Sequence, residues 1–131
     1  MLESYKLMDM RGNYIGDLGK NPETKEYSFT PNPKWTGLLP VAFYGAPTQN
    51  RQEVVRSKLI DNWIRSRVAP RNRDGIESIL KRMNLHEYDE WEILKKNWGF
   101  SPTDFYWLDM KGDTSIEEFK QILINSTVQI K

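Results

Sequence analysis

The chain has no cysteine and a single histidine, His86, among its 131 residues. The first absence excludes disulfides, thiolate metal sites and cysteine nucleophiles together, and it fits a reducing compartment. The second excludes a catalytic triad or a metal-binding pair built on histidine. No stretch approaches the roughly 18 consecutive apolar residues of a membrane span, and the start MLESYKLMDM lacks the basic head and apolar run of an export signal. A cytoplasmic protein without a membrane partner is expected. There is no GxxxxGK[ST] loop, no internal repeat and no low-complexity segment, and the glycines are scattered over turns. Glu90 with Glu92, and Glu117 with Glu118, sit too close in sequence to face each other on a helix, so they read as solvated charges rather than an acid–base pair. His86 falls in the polar link 84–89 and reads as a surface residue. No catalytic set, cofactor, metal or small-molecule substrate is therefore expected, and the chain reads as a binding protein rather than an enzyme.

What is present is an uneven distribution of charge over a length suited to one domain. Residues 51–82 carry seven arginines and two lysines against four acids, while residues 83–131 carry five lysines against nine acids. Such a division can steer a charged partner, or the two parts can neutralise each other within the fold.

The first third reads as strand and turn. Runs at 5–10 and 14–18 flank Arg11-Gly12-Asn13, a hairpin signal, and Tyr27 and Phe29 alternate with Ser28 in a third strand over 26–30. Pro31, Pro33 and Pro40 then impose a loop, in which Trp35, Leu38 and Leu39 are apolar enough to fold back onto the sheet. A short strand is predicted over 41–44. From about residue 49 to 65, Val55, Leu59, Ile60, Trp63 and Ile64 recur at helical spacing. Pro70 ends that helix, and a second is predicted from Asn72 or Arg73 with Ile76, Ile79, Leu80 and Met83 on its buried face. Asp89 is the expected N-cap of a third helix and Gly99 its stop. Ser101-Pro102-Thr103-Asp104 predicts a helical turn carrying Phe105, Tyr106 and Trp107. Thr114 and Glu117 predict a capping box for a last helix that frays after Asn125.

These elements define one α+β domain, a small antiparallel sheet followed by four or five short helices packed around Trp63, Trp91, Trp98 and Trp107. Residues 1–48 form its β-rich half, 49–125 its helical half and 126–131 a frayed tail. The junction between the first two helices holds Arg65, Arg67, Arg71 and Arg73 around Pro70. Two readings of these arginines stand side by side. They can grip phosphates or a partner's carboxylates, with Trp63 or Tyr44 available for stacking. Equally, they can clamp the junction by pairing with Asp104 or with helix-end carbonyls.

Residues 62–107 resemble a region near the amino terminus of HipA-like kinase proteins of Gram-positive bacteria and their mobile elements. Trp63, Arg65, Arg67, Pro70, Arg73, Gly75 and Ile76 fit an R-x-R-x-x-P-x-x-R-x-G-I pattern. Gly99, Phe100, Ser101, Asp104, Tyr106, Trp107 and Leu108 fit a later G-[LF]-S-x-x-D-x-Y-W-[IL] pattern. More loosely, Gly12, Gly16-Asp17-Leu18, residues 27–29 and Leu39-Pro40 resemble the small sheet that opens such proteins. The resemblance implies a stand-alone module of a split toxin–antitoxin system, which contacts a separately encoded kinase or its repressor. It favours the structural reading of the arginines, because they recur with Asp104 and Trp107 in one pattern. The 131 residues hold none of the nucleotide-binding parts of a kinase, so phosphotransfer is not expected. The leading expectation is a non-enzymatic regulatory module that occludes a protein partner through Arg51, Arg56, Arg65, Arg67, Arg71 and Arg73, with Trp35 and Tyr44 as apolar anchors. The alternative is a phage or mobile-element anti-defence protein of the anti-CRISPR type, which blocks a nucleic-acid-guided nuclease. Direct nucleic-acid binding through the arginine patch ranks third.

Overall fold

A computed structural model describes residues 3–37, 39–40, 58–102 and 104–130 of the chain. In order along these residues lie β1 (Glu3–Asp9), β2 (Tyr14–Lys20), β3 (Tyr27–Pro31), α1 (Lys58–Arg65), α2 (Ile76–Arg82), α3 (Glu90–Lys96), β4 (Tyr106–Asp109) and α4 (Ile116–Ile130). The α+β arrangement with an antiparallel sheet at the amino-terminal end agrees with the sequence reading. The segment 41–57, with the predicted strand at 41–44 and the first turns of the predicted helix from 49, lies outside the described residues, as does Leu38.

The β1–β2 hairpin forms where predicted. Asp9 accepts hydrogen bonds from the backbone N–H groups of Arg11 and Asn13, both at 2.9 Å, which fixes the turn locally. Register then slips by one residue, from Leu7 opposite Gly16 to Met8 opposite Tyr14, leaving Ile15 as a bulge. The bulge turns Ile15 into the same buried cluster as Leu18, which strict alternation would forbid. Gly16 is required at its position because a Cβ there would lie 2.5 Å from the Phe29 ring and 2.6 Å from the Thr30 carbonyl oxygen.

The sheet order is β3-β2-β1-β4, and both faces of the sheet are packed. On one face Leu7, Leu18, Phe29 and Leu108 meet Ile60 and Ile64 of α1 and Trp91, Ile93 and Leu94 of α3. On the other, Met8 and Trp107 meet Phe119 of α4. The Trp107 and Phe119 rings stack at 4.1 Å and 8°, and the Trp107 indole N–H donates to the Asp9 carbonyl at 2.8 Å. Trp63 and Trp98 are only half-buried at the margins of these clusters. Trp35 packs half-buried against the larger cluster and Leu39 is buried in it, as expected of an apolar loop that folds back.

The local signals were right for the hairpin, β3 and α3 and need correction at α2, β4 and α4. Asp89 caps α3, accepting from the N–H of Trp91 and of Glu92. The helix closes with Trp98 and Gly99 both at positive φ, and the Gly99 N–H returns to the Leu94 carbonyl at 2.9 Å. By contrast α2 starts at Ile76, later than predicted, because Gly75 adopts φ +78°, which cannot sit inside a right-handed helix. In place of the predicted helical turn at 105–107, Phe105 lies in a bend and Tyr106 and Trp107 open β4. Asp104, expected to help open a helix, accepts from the Tyr106 N–H and leads the chain into pairing with β1. For α4 the cap is Ser115, whose hydroxyl accepts from the Glu118 N–H, rather than Thr114, whose N–H is drawn to Asp109. Helical backbone then continues to Ile130, past the expected fraying point.

Replacing Trp107 with alanine removes the stack on Phe119 and the indole hydrogen bond and leaves a void between β4 and α4. Stability measured by urea unfolding should fall by about 3–5 kcal/mol.

Candidate partner-binding surface

The chain leaves α1 through a tight turn, with Ser66 N–H bonded to the Asn62 carbonyl and Arg67 N–H to that of Ile64. That turn drives Arg67 inward and leaves its neighbours outside. The Arg67 side chain is 1% exposed. Its Nε donates to the Gly99 carbonyl at 2.7 Å, one terminal nitrogen pairs with Asp104, and the other donates to the Tyr106 carbonyl at 2.8 Å. Trp63 covers the guanidinium, whose central carbon lies 4.2 Å from the ring centroid. Arg67, predicted as a contact residue, is therefore a structural clamp and presents no surface to a partner. Its acceptor Gly99 is at φ +62°, and a Cβ there would lie 2.5 Å from Leu108 Cγ. Only glycine brings that carbonyl to the arginine while letting the backbone lie on β4.

Arg65, Arg71 and Arg73 remain exposed. Arg65 Nε lies 3.5 Å from Glu90 Oε2, and the other oxygen of Glu90 accepts from the Tyr27 hydroxyl at 3.0 Å. Arg71 lies over the Tyr88 ring at 4.8 Å, and the Tyr88 hydroxyl donates to the Ala69 carbonyl at 2.7 Å. Burial and Glu90 push the Tyr88 hydroxyl above its ordinary pKa of 10, while Arg71 and Arg65 oppose the rise, so both guanidiniums act on one phenol. Burial first, and then Glu90, also raise Tyr27. Trp35 packs half-buried against the larger core cluster. Arg51, Arg56 and Tyr44 lie outside the described residues.

Sequence reasoning missed a second polar centre at Glu3. Its carboxylate accepts from Lys95 Nζ at 2.7 Å, from the Tyr5 hydroxyl at 2.6 Å and from the Trp91 indole at 2.8 Å. Burial alone would raise its pKa, but these donors prevail and hold it at about 2. Lys95 also reaches Glu92 at 2.7 Å. A shallow depression of about 470 Å³ beside this network is lined by Tyr5, Leu85, Glu92, Lys95, Lys96, Trp98 and Met110. The network fastens β1 to α3, and Lys95 is spent within it. No signal at residue 3 marks this role, since every donor except Tyr5 lies about ninety positions away.

His86 is exposed, as expected. Among the described residues no group of three or more His, Asp or Glu side chains could hold a metal ion, and no helix is long and apolar enough to cross a membrane. Compared with protein-family models, with curated proteins and with solved structures, the chain gives no match.

Arg67→Ala would leave Asp104 and two carbonyls without their donor and should cost about 3–5 kcal/mol in denaturant unfolding. Arg71→Ala and Arg73→Ala should stay within about 0.5 kcal/mol of the parent chain.

The Glu3 carboxyl also predicts a pH response. Because its pKa is lowered from 4.5 to about 2 on folding, the unfolded chain binds more protons between those values. The stabilisation is complete above pH 4.5 and is lost as pH falls toward 2. Thermal melts across that window should show a decline that is shallower in Glu3→Gln. The decline that persists comes partly from Asp109, where burial is outweighed by hydrogen bonds from the backbone N–H groups of Lys111, Gly112 and Thr114, so its pKa too is lowered.

Proposed function

We propose that the chain is a non-enzymatic regulatory module that works by binding a protein partner, with the turn of residues 65–73 as the contact. One observation carries the reading: the fold consumes Arg67 but leaves Arg65, Arg71 and Arg73 at the surface. Arg65 and Arg71 are also partly ordered by Glu90 and Tyr88. Guanidiniums ordered in advance lose less side-chain entropy on binding and present a planar fork suited to carboxylates. The likeness of residues 62–107 to HipA-like amino-terminal regions makes a separately encoded kinase, or its repressor, the simplest partner, and occlusion the simplest mechanism.

The setting of the arginines favours a protein over a nucleic acid. Asp61 and Asp74 flank the arginine-rich turn in sequence and Glu90 pairs with Arg65, so a row of phosphates would meet carboxylates as well as guanidiniums.

The test is affinity capture of the tagged chain from its native host, with and without nuclease, alongside an Arg65→Ala/Arg71→Ala/Arg73→Ala variant that still folds. A kinase or repressor that survives nuclease and is lost with the variant is the expected result. Capture of a guided nuclease would replace this reading with the anti-defence one. Partners that disappear on nuclease treatment would make nucleic acid the ligand, and partners kept by the triple variant would place the contact elsewhere.

A further inference from the structure

We infer that Arg65 and Arg71 form a two-point receptor for adjacent carboxylates on an acidic protein segment, and that Glu90 is its built-in competitor. The inference rests on the protein-binding reading above and specifies the chemistry of its partner.

Tyr88 sets the spacing. Its hydroxyl is tied to the Ala69 carbonyl at 2.7 Å, its ring carries Arg71 at 4.8 Å, and two positions later Glu90 holds Arg65. The two guanidiniums are thus held by side chains two positions apart in the chain, Arg71 on Tyr88 and Arg65 on Glu90. Glu90 is itself anchored, because its second oxygen accepts from the half-buried Tyr27 hydroxyl at 3.0 Å. It therefore approaches Arg65 from one fixed side and at 3.5 Å, longer than the roughly 2.7–2.9 Å of a strong charge-assisted hydrogen bond. With its side chain 61% exposed, Arg65 stays open to solvent despite this contact. An incoming carboxylate can engage that fork and outcompete Glu90, while a second binds Arg71 above the tyrosine.

The local balance of charge decides the class of partner. Among the charged groups at this spot, the two receptor arginines are opposed by Glu90, with Asp89 and Asp61 also near Tyr27. The field is thus weak, and selection falls to the placement of two forks rather than to bulk attraction of a polyanion. That requirement fits closely spaced Asp or Glu side chains on a protein and does not fit an extended phosphate backbone.

Isothermal titration of the full chain at low salt with a short oligo-glutamate peptide, and with an oligothymidylate of equal charge, tests the inference. Oligo-glutamate should bind, and Arg65→Ala or Arg71→Ala should each weaken it by roughly three- to tenfold, as expected for loss of one fork. Arg65→Lys keeps the charge without the fork and should also weaken binding, which covers the case of an alanine variant that folds poorly. Glu90→Gln retains an acceptor for Tyr27 but releases Arg65, and should tighten binding by about threefold or more. Glu117→Gln makes the same change of charge on α4, across the sheet, and should leave affinity unchanged. Equal tightening by Glu90→Gln and Glu117→Gln would reduce the effect to net charge and overturn the receptor. So would oligothymidylate that binds at least as tightly and responds to the same variants. Failure of the parent chain to capture any protein in affinity capture would sink the broader reading; a nuclease-resistant partner that is lost with the triple variant, while oligo-glutamate shows no variant pattern, would sink this inference alone.

Discussion

A guanidinium buried to 1% exposure is tolerable only when its donors are taken up, and Arg67 meets that condition with three separate acceptors. Those acceptors belong to the end of α3, the turn at Asp104 and the first residue of β4. One side chain thus joins the exit of α1 to every element that must be set before β4 can pair with β1. The clamp also closes an edge. β4 is the last strand of the sheet, and three of its outward polar groups are occupied, by Arg67 at the Tyr106 carbonyl, Asp104 at the Tyr106 N–H and the Trp98 carbonyl at the Leu108 N–H. A strand edge satisfied in this way offers little to a stray β-strand.

The same economy applies to the charge asymmetry of the sequence. Part of the basic middle is absorbed by the acidic carboxy-terminal part, through Arg67 with Asp104 and Arg65 with Glu90. The two ion pairs differ in kind. In the first the guanidinium is buried beneath Trp63 and bonded to backbone carbonyls, whereas in the second it is largely exposed, where screening leaves little net gain. Burial therefore separates fold-forming arginines from available ones more sharply than sequence position does.

Much of the fold was legible because its signals are local. The hairpin at Gly12, the strand at Tyr27 and Phe29, the Asp89 cap and the stop at Gly99 each depend on neighbours within a few residues. The failures share the opposite property. Asp104 follows a serine and a proline, as in a helix start, yet its carboxylate is claimed by an arginine 37 positions earlier. Thr114 stands three residues before Glu117, as in a capping box, but Asp109 takes its N–H and Ser115 becomes the cap. Glu3 carried no signal, since its importance arises from Trp91 and Lys95 on α3. For the candidate site, the pairing of an arginine with Asp104 was open to inspection in the sequence. Which arginine turned inward was not, because that depends on how the chain leaves α1.

This geometry bears on what the proposed resemblance to HipA-like proteins can imply. Arg67 of its first half meets Gly99, Asp104 and Tyr106 of its second half, and Gly99 packs on Leu108. Those positions are explained by one buried junction, so a likeness carried by them speaks to architecture. Function has to be sought where the junction makes no demand. Within the same pattern Arg65 and Arg73 are exposed, and Arg71 beside them rests on Tyr88 without entering the core. A partner that recognises this module through the turn must read those three side chains, while any protein that shares only the clamp can present something else at the same place.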